Sequence, residues 1–104
     1  MKSFGDLMKT ATKMQKQMGE LQAKFAEERF TASAGGGMVT AVVDGHSALK
    51  EIKLSPAALK EKDVTLLEDL ILTAIGEAQK TSKAAYAESL SKITGGMNLP
   101  MFGA

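Results

Sequence analysis

The chain has 104 residues and a formal net charge of +1 at pH 7. This length supports one domain, and the near balance of charge predicts neither a nucleic-acid nor a membrane partner from bulk electrostatics alone. The absence of cysteine excludes disulfides, thiolate catalysis and cysteine-ligated metal sites, and it suits a reducing cytosol. Because no stretch approaches about 18 consecutive apolar residues, we expect no membrane-spanning helix.

A heptad pattern over residues 4–28 predicts one long helix at the start of the chain. The two seam positions of the heptad are occupied by Phe4, Leu7, Ala11, Met14, Met18, Leu21 and Phe25. At about 1.5 Å per residue the helix would be roughly 37 Å long, which exceeds what a small three-stranded sheet can cover. Part of the helix should therefore project. Its seam should pack on a second copy of the chain or, alternatively, on the C-terminal helix of the same chain.

Three short strands are predicted at 28–34, 38–44 and 48–54, arranged as an antiparallel meander. Three glycines at 35–37 and the pair Asp44-Gly45 supply the two turns. Both faces of the middle strand are fairly apolar, so we expect this strand to be covered on both sides.

Two further helices follow the strands. Ser55 and Pro56 suit the start of a short helix, and Asp63 can cap a long helix from about 64 to 93. The first half of the long helix is apolar nearly all round, which predicts that it is enclosed on several sides.

The predicted fold is therefore α+β, with the order α-β-β-β-α and a short helix before the last long one. We expect a single domain over 1–94 and a flexible tail over 95–104, because the tail lacks any periodicity.

The residues that could carry catalysis do not form a recognisable constellation. His46 is the only histidine and falls in a turn, so no second imidazole or thiolate can complete a metal site with it. The glycines at 35–37 lead into a strand instead of a helix, which indicates a turn and not a phosphate loop. Glu68 and Asp69 are adjacent on a helix and diverge by about 100°, so they do not form an acid–base pair. We predict that the protein is not an enzyme and uses no metal, cofactor or small-molecule substrate.

Lysines on the first helix form the best candidate site. Residues 2–25 contain five lysines against two acids, whereas residues 44–69 contain four lysines against six acids. Lys9, Lys13 and Lys16 make a compact row opposite the apolar seam. Such a row is either a solvated helix face or a surface for phosphate contacts. Twelve of the thirteen basic residues are lysine, which favours contacts with nucleic-acid backbones over reading of base edges.

Two sets of site residues follow from these patterns. For the phosphate-contact alternative, the candidate DNA-binding residues by charge are Lys2, Lys9, Lys13, Lys16, Lys80, Lys83 and Lys92. The predicted dimer-interface residues are Phe4, Leu7, Met14, Met18, Leu21, Phe25, Leu67, Leu70 and Ile71.

Five stretches in this order resemble the YbaB/EbfC family of bacterial nucleoid-associated proteins. They are LMKTATKMQKQMGELQAKF, GGGMVTAVVDG, LKEIKLSP, LLEDLILTAIGEA and GGMNLP. The resemblance covers nearly the whole chain. It implies an α-β-β-β-α homodimer whose first helices project like tweezer arms. It also implies a cytoplasmic, nucleoid location and binding of double-stranded DNA that organises or bends the duplex, without catalysis or a cofactor.

A second hypothesis is a dimeric protein–protein adaptor. Its docking surface would be the first helix and the methionine-rich tail, since methionine adapts well to partner surfaces.

Overall fold

The structure is a computed structural model that describes residues 3–95. Its elements are α1 (Phe4–Glu27), β1 (Arg29–Ala34), β2 (Val39–Asp44), β3 (Leu49–Leu54), α2 (Pro56–Leu59) and α3 (Val64–Ile93). The predicted α+β class and element order are confirmed, and the strands and long helices begin and end within one residue of prediction. Lys2 and, apart from Gly95, the predicted tail lie outside the described residues.

Helix α1 extends well beyond the rest of the fold. Its first turn is capped by Ser3, whose Oγ accepts a hydrogen bond of 3.2 Å from the backbone N–H of Asp6. Leu21 and Phe25, near its end, are buried, at 8% and 3% exposure. Phe4 at its start is 76% exposed. Residues 4–16, hereafter the arm, therefore project, and the molecule measures 68 × 24 × 15 Å.

The three strands form an antiparallel sheet in the order β1-β2-β3. The turn between β1 and β2 uses Gly35, Gly36 and Gly37 at φ values of 66°, 66° and 94°, which side chains with a Cβ rarely adopt. The predicted meander is thus confirmed, with one irregularity in the β2–β3 register between Val42 and Val43.

The core lies between α3 and one face of the sheet. Val39, Ala41 and Val43 of β2 are fully buried there, and Ala74 and Ala78 of α3 face them. These alanines lie four residues apart, so one small-residue stripe of the helix approaches the sheet closely. Helix α3 packs on β1 and β2, with at most marginal contact to β3. A helix about 10 Å wide covers about two strands spaced at ~4.8 Å, so the third strand is left out.

The expectation that β2 is covered on both sides was wrong for the single chain. Thr40 and Val42 on the second face are only half-buried, and Ser33 and Thr40 share a hydrogen bond of 2.8 Å between their hydroxyls. The flanking strands present polar side chains on this face, so it is largely a solvent face. The first half of α3 is likewise covered on one side only, since Val64 and Leu72 remain exposed.

The orientation of α1 is fixed by its contact with the turn between β2 and β3. The backbone N–H of Gly45 donates to the carbonyl of Phe25 at 2.8 Å. His46 Nε2 lies 2.9 Å from the carbonyl of Gln22, so the ring donates this hydrogen bond. The ring of Tyr86 on α3 meets Phe25 edge-on, with 5.2 Å between ring centroids. We call this joint, formed by Phe25 and the turn 44–47, the elbow.

Asp44 organises the turn at the elbow. Its Oδ1 accepts hydrogen bonds from the backbone N–H groups of His46 at 2.8 Å and Ala48 at 3.0 Å. Its backbone carbonyl accepts from Ser82 Oγ of α3 at 2.8 Å. The N–H of Ala48, above all, lowers the pKa of the Asp44 carboxyl below its ordinary value of 3.8, and the N–H of His46 and the charge of Lys50 act in the same direction. The turn, α3 and the sheet are thus joined through one residue.

Replacing Gly45 by alanine should destabilise the fold. A Cβ at this position would overlap the side chain and carbonyl of Phe25. We expect the free energy of unfolding to fall by about 1–3 kcal/mol in urea denaturation. The control Gly76→Ala, on α3 with open space around it, should leave stability unchanged or raise it by up to about 1 kcal/mol. Equal stability of the two variants would contradict the proposed role of the elbow.

The stability of the fold should also depend on pH through Asp44. Because folding lowers the pKa of this carboxyl, the fold favours its ionised form, and the stabilisation is complete above pH 3.8. It is lost as the pH falls through the folded-state pKa. Asp44→Asn should therefore be less stable than the natural chain at pH 7, and urea denaturation should show this difference shrinking toward pH 2. Asp69→Asn, at an exposed position of α3, should stay close to the natural chain at pH 7. A difference for Asp44→Asn that does not change with pH would refute the assignment.

Candidate nucleic-acid interface

The arm carries a row of three exposed lysines. Lys9, Lys13 and Lys16 line one shallow depression of the helix surface together with Met8 and Thr12. Among the described residues none of the three forms an ion pair. Their ammonium groups are therefore open to a partner, and the three lysines lie together on one side of the arm.

The apolar seam lies on the opposite side of the arm from this row. At about 100° per residue, Lys9 and Lys16 lie roughly 140° and 120° around the helix from Phe4. The positions that flank the seam within the arm are Met8, Thr10 and Gln15, which carry no charge. A polyanion held by the lysines would therefore leave the seam free.

The three predicted lysines of α3 lie apart from the arm. Lys83 lines a pocket at the elbow with His46 and Tyr86. Lys92 Nζ lies 3.9 Å from Glu88 Oε1, but both side chains are about three-quarters exposed, so this ion pair adds little stability. Lys80 is exposed on the same helix. The structure thus brings together the three lysines of the arm but does not bring the three lysines of α3 into one group.

Sequence reasoning left Lys24 out of the candidate set. Lys24 lies in the last turn of α1 and lines a groove between α1 and α3 together with Lys92. It belongs to the lysine surplus of residues 2–25 but lies outside the compact row of Lys9, Lys13 and Lys16. The feature that marks Lys24 as a candidate is its proximity to Lys92. This proximity depends on how α1 and α3 pack, so the sequence alone did not reveal it.

The predicted interface residues fall into three environments. Phe4 and Leu7 are exposed on the arm, and Met14 and Met18 are half-buried further along α1. Leu21 and Phe25 are buried within the chain. The three predicted residues of α3 pack partly against the core of the same chain; they are Leu67, Leu70 and Ile71. Only the first part of the seam is therefore freely available in one copy.

Neither a metal cluster nor a membrane span is found in the part of the chain that the structure describes. Among residues 3–95, no group of three or more histidine or acidic side chains is placed to hold a metal ion. The helices of this same range include none with the length and apolar character needed to cross a membrane.

Comparison with known proteins identifies the family. A sequence profile described as the YbaB/EbfC DNA-binding family matches residues 1–97. A nucleoid-associated protein of Paramagnetospirillum magneticum is 46% identical over 100 residues, which cover 96% of this chain and 94% of that protein. A nucleoid-associated protein of Clostridium kluyveri is 41% identical over 98 residues, which cover 94% of this chain and 86% of that protein.

A solved structure supports the fold independently. The crystal structure of an uncharacterized protein from Helicobacter pylori superimposes with a TM-score of 0.80 at 20% identity, covering 91% of this chain and 100% of the other. The extent of the profile match and the identity to the bacterial relatives confirm the predicted family. The chain therefore belongs to the YbaB/EbfC DNA-binding family.

Proposed function

We propose that this protein is a non-enzymatic, nucleoid-associated homodimer that binds duplex DNA through lysine–phosphate contacts and so organises or bends the DNA. The observation that carries this proposal is the projecting arm with Lys9, Lys13 and Lys16 exposed along one side. Membership of a DNA-binding family and the names of the bacterial relatives support the same function, and they support a place in the nucleoid of the cytoplasm.

The dimensions of the arm suit a phosphate backbone. Lys9 and Lys16 are two helical turns apart, or about 10.5 Å along the axis. Measured along the duplex axis, this distance corresponds to roughly three phosphates of one strand, at about 3.4 Å of rise each. Because each lysine is a flexible point charge, the row can follow phosphates without demanding a particular base sequence.

The uneven charge of the chain would orient it on DNA. The lysine surplus lies in residues 2–25, whereas acids outnumber lysines in residues 44–69. A polyanion attracts the first region and repels the second, so a nearly neutral protein can still present one face to the duplex. We propose that Lys24 and Lys92, which line one groove between α1 and α3, extend this face beyond the arm, and that Lys80 and Lys83 of α3 supply separate contacts.

Two copies would bind more tightly than one. A single lysine row supplies few phosphate contacts, and a dimer brings a second row to the same duplex at a high effective concentration. Large apolar side chains that remain exposed in one copy support self-association, among them Phe4 and Leu59 at 76% and 81% exposure.

Reversing the charge of the arm should abolish most DNA binding. The variant with Lys9, Lys13 and Lys16 each changed to glutamate should lose affinity by on the order of tenfold to a hundredfold at low salt. Fluorescence anisotropy of a labelled mixed-sequence duplex, titrated at several salt concentrations, measures this. The slope of log K against log[salt] should flatten by about 0.9 for each phosphate that the variant no longer neutralises.

A matched control variant tests whether DNA affinity depends on the arm lysines themselves or only on the net charge of the protein. Changing Lys53, Lys60 and Lys62 to glutamate alters the total charge equally but leaves the arm intact. We expect this control to bind DNA much more tightly than the arm variant. Equal losses of affinity would remove the arm lysines from the proposed site. A clean dimer that ignores DNA even at low salt would contradict DNA binding and favour an adaptor that docks through the arm.

A further inference from the structure

The apolar face of the first helix loses its cover where α3 ends. Leu21 is buried and lines a groove with α3, whereas Met18 and Met14 are half-buried. Further toward the tip, Ala11 is exposed and Leu7 is 57% exposed. We call Leu7, Ala11 and Met14 the arm seam. The arm seam therefore continues an apolar face whose other half is covered by the same chain.

Helix α3 runs along α1 in the opposite direction and points toward the tip of the arm. Tyr86 of α3 packs on Phe25, and further along α3 Ile93 lines a groove with Gln17. Moving forward along α3 thus corresponds to moving back along α1. Gly95, at a φ of 68°, follows the last turn of α3 and ends the helix beside the base of the arm. The chain after α3 accordingly starts where the cover of α1 stops.

The sequence that follows α3 is uncharged and rich in apolar side chains. Residues 96–104 come after Gly95 and lie outside the described residues. Their large apolar side chains are Met97, Leu99, Met101 and Phe102. The first three stand at every second position, so in an extended segment they share one side. Pro100 favours an extended conformation, because it fixes its own φ and disfavours the helical region for the residue before it.

We propose that residues 97–101 of the same chain, hereafter the tail segment, pack in an extended conformation on the arm seam. Leu99 then lies over Ala11, and the two methionines on either side of Leu99 contact Met14 and Leu7. Since Ala11 is the small residue of the seam, it leaves a hollow that a leucine from the facing segment can fill. The alternation in the tail is too short to predict structure by itself, but the arm seam offers it an apolar surface.

The dimensions of the two surfaces agree. From Gln17 to Leu7 is about 15 Å along the helix axis. An extended chain over residues 96–101 reaches about 20 Å at ~3.3 Å per residue, so the tail segment can reach the whole arm seam. Its apolar side chains would recur at intervals of about 6.6 Å. Those of the seam recur at intervals of about 5.3 Å, so the two rows can be placed side by side.

The charges of the arm favour an uncharged occupant for the seam. The flanking positions Met8, Thr10 and Gln15 carry no charge, and neither does the tail segment. Phosphates of a duplex would find no cation on this side of the helix, because the lysine row lies on the opposite side. Cover of the seam by the tail segment therefore leaves the lysine row exposed. This contact does not depend on whether the protein binds DNA.

Cross-linking tests the contact in the full chain. Because the natural chain has no cysteine, the double variant Ala11→Cys with Leu99→Cys introduces one pair of thiols. A disulfide requires Cα atoms about 4.4–6.8 Å apart, so mild oxidation should join this pair about tenfold faster than the control pair, Thr12→Cys with Leu99→Cys. Thr12 is also exposed but points about 100° away from Ala11 around the helix. On a non-reducing gel the product should migrate as one chain of 11.0 kDa.

Thiol labelling tests the cover of the arm seam without a cross-link. Maleimide should react with Leu7→Cys about tenfold more slowly in the otherwise natural chain than in the chain that also carries Leu99→Glu and Met101→Glu. Both glutamates lie outside the packed core, so the fold should persist, which thermal unfolding followed by circular dichroism checks. The control Asn98→Glu places its charge on the other side of the tail segment and should leave the slow labelling unchanged.

Three results would overturn the proposal. Equal oxidation rates for the two cysteine pairs would show that the tail segment has no preference for the arm seam. A cross-linked product with the mass of two chains would assign the contact to a second copy. Labelling of Leu7→Cys that does not change with the two glutamates would show that the tail segment does not cover the seam. DNA affinity enters none of these measurements, so the proposed function is tested separately by anisotropy.

Discussion

The hydrogen bond from the Gly45 N–H to the Phe25 carbonyl joins the long first helix to the sheet. It forms only because position 45 has no side chain, which lets the turn approach the helix backbone. His46 adds a second bond to α1, and Asp44 ties the same turn to Ser82 of α3. Helix α1, helix α3 and the sheet therefore meet at the turn 44–47. The direction of the arm follows from this joint.

The other structural constraint is the narrow layer that covers the sheet. Alanines of α3 allow close packing on β1 and β2, but a single helix is not wide enough for three strands. The chain thus builds a complete small core around Val39, Ala41 and Val43 and leaves leucines of β3 half in water. A chain of this length has too few residues to cover all of its apolar side chains. It therefore has both a small core and apolar residues that remain exposed.

Much of this architecture follows from local sequence patterns. Glycines at 35–37 and Asp44-Gly45 predicted the turns, and the heptad repeat predicted a helix too long for its sheet. The lysine row was predictable because residues seven apart share a helix face. The elbow was not predictable in this way, since Gln22 and His46 are 24 residues apart and the histidine was interpreted only as a solvated turn residue. The partial cover of the sheet was not predictable either. It depends on the position of α3, and the periodicity of the strands carries no information about that position.

The length of α1 turns the elbow into a lever. About 21 residues separate Phe25 from Phe4, or roughly 32 Å of helix, so a tilt of about 5° at the elbow moves the tip by roughly 3 Å. This displacement is close to the ~3.4 Å of axial rise per phosphate along one strand of the duplex. In the proposed mode of DNA binding, the side chains of His46 and Tyr86 at the elbow would thereby influence which phosphates the arm reaches. Two chains with identical lysines and different elbows would trace a duplex along different paths.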